Sequence, residues 1–398
     1  MSDTPKFVCK RGKDERFCTL KKAVTSTADK LDIPKYADGR YITVIGSGAF
    51  KKCPRVKTIV LPETVTEIAA KAFAGSNIEE IVIPSTVTAI GDRAFDKCVY
   101  LRRIEIENPD AKIGKSLFSG CYNITRAKLP VSAFTERWFT TLEETIAIGN
   151  GDLPENAFKD CGRLKFAALG EGITSIGEHA FSDCGSLERI ELPESLEEIC
   201  SYAFLKCAAL RSFTVPKGVK TIEWEVFSGC ALESLRVDKE NEVFHSDGNC
   251  IIRTNEKQLV AGCADSIIPK DGSVETIYDW AFSECKDLSA IVIPSSVKHI
   301  GDDAFCGCKD LENIVLSEGL ETISDFAFCE CSRMESIEIP STVKELGFGI
   351  FDECESLSDV YYNGTVAEWR EIETDAHLAG NSSFVLHCSD GDIDDYKE

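Results

Sequence analysis

Residues 288–308, LSAIVIPSSVKHIGDDAFCGC, carry a pattern that recurs along most of the 398-residue chain. An L-x-x-I-x-I-P run is followed by V-x-x-I-G and then by A-F-x-x-C. The phenylalanine of the last run marks each repeat, and within a group of four these phenylalanines are 22 or 23 residues apart. A fixed period of this size predicts a solenoid, because stacked coils bury apolar edges that one coil cannot bury alone. The marker residues are Phe50, Phe73, Phe95, Phe118, Phe158, Phe181, Phe204, Phe227, Phe282, Phe305, Phe328 and Phe351.

Each repeat also predicts its own local structure. The alternation of Ile291 and Ile293 is typical of a strand with one buried face, and Pro294 ends that strand because it lacks a backbone donor. The V-x-x-I run predicts a second short extended segment, and Gly301 a bend after it. We expect the A-F run, with Phe305, to form a short helical turn.

The motif I-P-S-x-V-x-x-I-G-x-x-A-F-x-x-C occurs at 83–98 and 293–308, and closely at 192–207. It resembles the BspA-like, or Treponema-type, class of leucine-rich repeat, and the resemblance covers roughly residues 30–388. The resemblance implies a curved, right-handed α/β solenoid with short strands and short helical turns in each 22–23-residue coil. It also implies a bacterial cell-surface protein that serves adhesion or other protein contacts without catalysis.

Departures from the repeat divide the chain into regions. Residues 1–30 are expected to form an N-terminal cap, and residues 31–357 the solenoid. Within the solenoid we expect an insertion at about 130–152 and a degenerate coil at about 238–270, where Asp247-Gly248 predicts a hairpin. Residues 358–388 are expected to close the C-terminal end, followed by an acidic tail at 389–398.

Composition narrows the function classes. The net charge of −23 disfavours nucleic acid or an anionic membrane surface as a partner, and no apolar run is long enough to span a bilayer. The first residues lack the apolar core of a signal peptide, so a cytosolic scaffold is the alternative to a surface protein. No catalytic or cofactor-binding motif is recognisable, which leaves an enzyme carried in the insertions as the weakest alternative. We expect a monomer without cofactors.

The nineteen cysteines are predicted to be free thiols, because eleven of them follow the marker phenylalanine at a constant distance. A free cysteine behaves as a small, readily buried apolar residue. Cys306, Cys308, Cys329 and Cys331 could bring four sulfurs together, but one member of each pair should be buried and the other exposed. This alternation disfavours a zinc site. The eleven are Cys53, Cys98, Cys121, Cys161, Cys184, Cys207, Cys230, Cys285, Cys308, Cys331 and Cys354.

A partner is expected to bind residues that flank the central isoleucine of each strand, since these side chains point away from the core. In the middle coils several of these positions hold cations, although the chain is strongly acidic. The alternative is that they are ordinary surface residues with a preference for strands. The predicted face, for a protein or an acidic glycan, comprises Arg103, Glu105, Arg126, Lys128, Arg189, Glu191 and Arg236.

Two aromatic residues of the expected insertion are a second candidate for partner binding. Phe134 and Trp138 are four residues apart, so they would share one face of a helix. That face either forms an exposed aromatic patch beside the predicted partner face or packs on the edge of the coils.

Overall fold

Short parallel strands, one coil after another, make up most of the protein. The computed structural model describes residues 5–25, 27–135, 139–374, 377–379 and 384–393. The chain divides into two units, Met1–Leu196 and Glu197–Glu398. In both, the L-x-x-I-x-I runs and the V-x-x-I runs form separate sets of strands, so the stacked coils of each unit are leucine-rich-repeat-like.

In the first unit the L-x-x-I-x-I runs form a parallel eight-stranded sheet, which we name the front sheet. The V-x-x-I runs form a second sheet, which begins with an antiparallel hairpin. The front sheet contains Lys30–Asp32, Thr58–Val60, Glu80–Ile83, Arg103–Ile106, Arg126–Pro130, Glu144–Ile148, Phe166–Leu169 and Arg189–Glu191. The second sheet contains Lys6–Arg11, Phe17–Val24, Tyr36–Ala37, Arg40–Ile45, Glu67–Ile68, Ala89–Ile90 and Lys112–Ile113, and Gly151–Leu153 pairs with Ile173–Ile176.

The second unit contains a three-stranded antiparallel meander, as the Asp247-Gly248 pattern predicts. Its last strand begins a run of parallel strands formed by the V-x-x-I segments. The strands of the meander are Phe244–Asp247, Cys250–Arg253 and Gln258–Ala261. The parallel strands that follow are Thr276–Ile277, His299–Ile300, Thr322–Ile323, Glu345–Leu346 and Glu373–Thr374. The other strands of this unit are Glu198–Ile199, Ser212–Val215, Thr221–Ile222, Ser234–Val237, Ala290–Ile293, Asn313–Leu316, Ser336–Ile339, Asp359–Tyr362, Val385–Cys388 and Gly391–Ile393.

A column of phenylalanine rings fills the core along each unit. Phe305 is fully buried, and its ring stacks on those of Phe282 and Phe328 with centroid distances of 4.9 and 5.5 Å. In the first unit the rings of Phe73 and Phe95 are 4.9 Å apart and nearly parallel. These distances match the spacing of neighbouring strands, about 4.8 Å, so each ring contacts the same ring one coil away.

The A-F segments differ from the expected helical turns: they are hydrogen-bonded turns. Asp303 and Gly307, two residues before and two after Phe305, both have left-handed backbone conformations, with φ of 53° and 72°. A right-handed helix requires negative φ, so it cannot continue through either residue. The Phe305 N–H instead donates to the carbonyl oxygen of Ala327 in the next coil at 2.8 Å. In the described residues the one α-helix is Val366–Trp369, which begins with a capping box at Thr365, and Val131–Ala133 forms a 3-10 helix.

The glycine of the V-x-x-I-G run has a steric role, not the predicted role in a bend. Gly301 has no left-handed φ, but a Cβ placed on it would lie 2.2 Å from Oδ1 and 2.8 Å from the backbone N of Asp279. In the first unit, a Cβ on Gly91 would lie 2.4 Å from the backbone N of Ala70. Glycine is therefore required because neighbouring coils approach each other closely at this position.

All eleven column thiols are free and buried, as predicted. Most of them also make a hydrogen bond that the sequence analysis did not anticipate. Cys308 Sγ donates to the carbonyl oxygen of Phe282, one coil earlier, at 3.1 Å, and Cys121 Sγ donates to that of Phe95 at 3.0 Å. A thiol is apolar enough for the core and still a weak donor. The column therefore links successive coils as well as filling space.

The segment expected to be an insertion, at about 130–152, contains a coil strand. Glu144–Ile148 pairs in parallel with Arg126–Pro130 on one side and with Phe166–Leu169 on the other. Glu144 is in register with Arg126, 18 residues earlier, so this coil is shorter than its neighbours. One part of the segment, Glu144–Ile148, therefore belongs to the front sheet.

Candidate functional site

The solvent side of the front sheet carries two rows of side chains on neighbouring coils. Parallel pairing in register places equivalent residues of successive strands side by side. The first row is Thr58, Glu80, Arg103, Arg126, Glu144, Phe166 and Arg189, and the second is Val60, Val82, Glu105, Lys128, Ile146, Ala168 and Glu191. Six of the seven residues of the predicted face are therefore on this surface.

Four predicted residues, together with three that sequence reasoning missed, line a depression of about 560 Å³. Glu144 and Ile146 lie on the strand within the segment treated as an insertion, and Phe166 lies on the next strand of the sheet. The alternating E-T-I-A-I run at 144–148 was the signal that could have revealed them. The depression is lined by Arg103, Glu105, Arg126, Lys128, Glu144, Ile146 and Phe166, over the backbone of the intervening residues.

Most of the cations on this surface are paired with carboxylates. Arg103 bonds to Glu105 at 2.6 Å, and this contact raises the pKa of the guanidinium. Arg126 bonds to Glu144 at 3.1 Å. Such exposed pairs contribute little stability, about 0–1 kcal/mol each, but they offset the positive charge locally. The face is therefore a mixture of positive and negative charges, in which Glu105, Glu144 and Glu191 offset the arginines.

Arg189 and Lys128 differ from these two arginines. Arg189 pairs with Glu191 and also lies over the ring of Phe166, 5.6 Å from its centroid. Lys128 makes no ion pair with any residue that the structure describes, and its side chain is half-buried in the depression. The depression thus combines one unpaired cation with apolar surface from Ile146 and Phe166.

Arg236, the seventh predicted residue, belongs to the second unit. It lies on Ser234–Val237, where its neighbour in register is Thr214. The structure therefore does not place it on the front sheet.

The predicted aromatic patch is wrong for Phe134. This side chain is only 2% exposed, and its ring contacts those of Phe139 and Phe158 at 5.4 and 4.7 Å. It is buried because this short coil has no marker phenylalanine in the usual place, and Phe134 and Phe139 occupy the space. Trp138 lies outside the described residues.

A second depression lies further along the front sheet and is more apolar. It has a volume of about 800 Å³ and includes Val60 and Val82, whose side chains are 42% and 43% exposed. Thr58, Glu80 and Arg103 border it. Both depressions are open, and together they follow the sheet across consecutive strands.

The described residues hold no group of His, Cys, Asp or Glu side chains suited to a metal ion. Cys308 and Cys331 are buried and donate hydrogen bonds to backbone oxygens, whereas Cys306 and Cys329 are only half-buried.

Among the helices in the described part of the chain, none has the length and hydrophobicity needed to cross a membrane.

Comparisons with known proteins agree with this architecture. The family model for the BspA type leucine-rich repeat region matches residues 30–146, 132–250 and 263–376, with six copies of the repeat region. A leucine-rich repeat protein from Bacteroides ovatus, 22% identical, aligns over 96% of this chain and 98% of its own with a TM-score of 0.52, which shows the shared fold. A leucine rich cell surface protein from Faecalibacterium prausnitzii is 25% identical over 94% of this chain and 99% of its own, with a TM-score of 0.48. No curated protein matches the chain.

The family model covers far more than half of the sequence, and it indicates no catalytic activity. The repeat assignment, the stacked parallel strands and the buried phenylalanine and cysteine columns agree with each other. The chain belongs to the BspA-type leucine-rich-repeat family.

Proposed function

We propose that this protein is a non-catalytic interaction scaffold, and that the front sheet of its first unit binds a protein partner. Leucine-rich-repeat proteins typically bind other proteins. The observation that carries the proposal is the depression around Lys128, Ile146 and Phe166, which lies on a sheet face that is exposed over eight strands.

The chemistry of this face favours a protein over an acidic glycan. An acidic glycan is held mainly by unpaired cations, whereas Arg103, Arg126 and Arg189 are each paired with a glutamate. Protein interfaces combine apolar and aromatic contacts at the centre with polar residues around them. Ile146 and Phe166 supply such a centre, and the ion pairs supply such a rim.

The cellular setting is part of the same proposal. We propose an adhesion-type role at a bacterial cell surface, on the basis of the family, with a cytosolic scaffold as the alternative. We further propose that the coils are right-handed and that the protein is a monomer. We also propose that two segments close the ends of the stack. One is the hairpin of Lys6–Arg11 and Phe17–Val24, and the other is the segment that follows Asp359–Tyr362.

Binding to a panel of purified extracellular-matrix proteins, with heparin as the acidic glycan, tests the proposal. We expect Ile146→Asp to weaken binding to the matrix protein at least tenfold, a loss of about 1.4 kcal/mol, as for a residue at the centre of an interface. Lys128→Glu should weaken binding and reduce its dependence on salt.

The control is Lys112→Glu, which changes an exposed residue of the other sheet in the same unit. An equal loss of affinity in this control would place the binding surface elsewhere. Binding to heparin alone, with steep salt dependence, would favour the glycan alternative.

A further inference from the structure

Two half-buried thiols of the second unit, Cys306 and Cys329, occupy equivalent positions on neighbouring coils. Each directly follows the marker phenylalanine of its coil. The two coils are joined by backbone hydrogen bonds on both sides of Cys306, from Phe305 N–H to Ala327 O and from Gly307 N–H to Cys329 O, both at 2.8 Å. The two thiols lie next to each other across this contact between the coils.

This outer pair differs from the buried thiol column beside it. Cys308 and Cys331 are 0% exposed, and their sulfurs donate to backbone oxygens of Phe282 and Phe305 at 3.1 and 3.3 Å. A reagent in solution therefore reaches Cys306 and Cys329 but not the column.

The geometry of the outer pair suits a disulfide. Neighbouring coils are separated by about 4.8 Å, as in any pair of hydrogen-bonded strands. A disulfide joins residues whose Cα atoms are about 4.4–6.8 Å apart. Because the backbone hydrogen bonds already hold the coils at this spacing, the bond can form without opening the stack.

We propose that Cys306 and Cys329 are an oxidation site, at which a small-molecule disulfide creates a covalent bond between neighbouring coils. In the first step one cysteine thiolate attacks a sulfur of the reagent and expels one thiolate, which leaves a mixed disulfide. The second cysteine then loses its proton and attacks the sulfur of the first, which expels the other half of the reagent. The protein loses two protons and two electrons, and the reagent is reduced to two thiols.

Both thiols are half-buried, so either can attack first as the thiolate, and the other then resolves the mixed disulfide. The carboxylates of Asp303, Glu330 and Asp352 surround the pair, so a cationic disulfide such as cystamine is a suitable reagent.

Peptide mapping of the native full-length chain after cystamine treatment tests the proposal. Trypsin should release residues 299–309 and 310–333, which carry Cys306 and Cys329 respectively. We expect these peptides to be disulfide-linked through the two outer cysteines, with the loss of two titratable thiols and no retained cysteamine. Separate cysteamine adducts on both residues, or two unmodified thiols, would overturn the proposal.

Two variants and one internal control make the test specific. Cys306→Ser and Cys329→Ser should each retain a stable cysteamine adduct on the remaining outer thiol, because the resolving thiol is missing. Cys98 and Cys121 also contact each other but are 0% and 2% exposed. They should remain reduced in the native protein, and linkage of this buried pair at the same rate would refute the role of exposure.

Discussion

Two chemically identical substitutions in the first unit should change stability in opposite directions. Gly91→Ala adds a methyl group where two coils meet, and Gly185→Ala adds the same group where the structure has no atom within 4 Å. Neither glycine has a left-handed backbone that would disfavour alanine. The comparison therefore separates the effect of coil contact from that of backbone conformation.

The expected magnitude follows from the contacts of Gly91. A Cβ there lies 2.4 Å from the backbone N of Ala70, whereas ordinary contact begins at 3.4 Å, and a backbone atom cannot rotate away. The coils would have to separate by about 1 Å, which lengthens the 2.8 Å hydrogen bond from Gly91 N–H to Ile68 O beyond bonding range. Overpacking costs about 1–3 kcal/mol and a lost hydrogen bond about 1 kcal/mol. Gly91→Ala should therefore destabilise the unit by about 2–4 kcal/mol.

Gly185→Ala should instead stabilise the protein by about 0.4–1 kcal/mol, because alanine restricts the unfolded chain more than glycine does. Urea unfolding followed by circular dichroism measures both changes, and hydrogen exchange locates them. For Gly91→Ala, exchange should accelerate at Glu67–Ile68 and Ala89–Ile90. Wild-type stability in Gly91→Ala would refute the steric explanation of the repeat glycine.

Three further predictions concern the core, the thiols and pH. Phe305→Ala should cost about 3–5 kcal/mol, as for other buried aromatic residues, whereas the same change at the 38% exposed Phe348 should cost much less in the same urea assay. Thiol titration should find few reactive groups in the native protein and many more in denaturant, since the column thiols are buried; a chain without titratable thiols after unfolding would contradict this. His387 bonds to Asp359 at 2.8 Å and to Asp392 at 3.0 Å, and these contacts raise its pKa. The stabilisation is fully present below the ordinary histidine pKa and is lost as pH rises through the raised value. An NMR titration should therefore show a raised pKa that falls toward the ordinary value in Asp359→Asn, where the bond to Asp392 remains, and an ordinary pKa in the wild type would exclude these contacts.

The apolar periodicity was sufficient to predict the stacked coils, because burial of Phe305 and its equivalents depends only on spacing. The turn around Phe305 could not be predicted in the same way. Asp303 and, in the next coil, Phe326 both have left-handed conformations, which aspartate tolerates but phenylalanine rarely adopts. These conformations are imposed by hydrogen bonds between coils, which a single repeat does not reveal.

Prediction of the candidate site had a similar limit. Alternation along Arg103–Ile106 correctly identified outward side chains, since that property is local to a strand. The pairing of Arg126 with Glu144 depends on which strand lies next to which, and the shortened coil concealed that neighbour. For the same reason the sequence left open whether Phe134 packs on the coils or lies at the surface; it replaces a marker phenylalanine inside.

The direction of the thiol hydrogen bonds has a consequence for self-association. Each bond runs from one coil back to the preceding one, so the two faces of a coil are different and the contact between coils is head-to-tail. A head-to-tail contact that does not close into a ring can propagate without limit and produce filaments. At the N-terminal end, the outer strand Lys6–Arg11 carries Lys6, Lys10 and Arg11, and such charges discourage further pairing at a sheet edge. We expect a chain that lacks both this hairpin and the closing segment after Asp359–Tyr362 to polymerise end to end, and light scattering would detect the polymers.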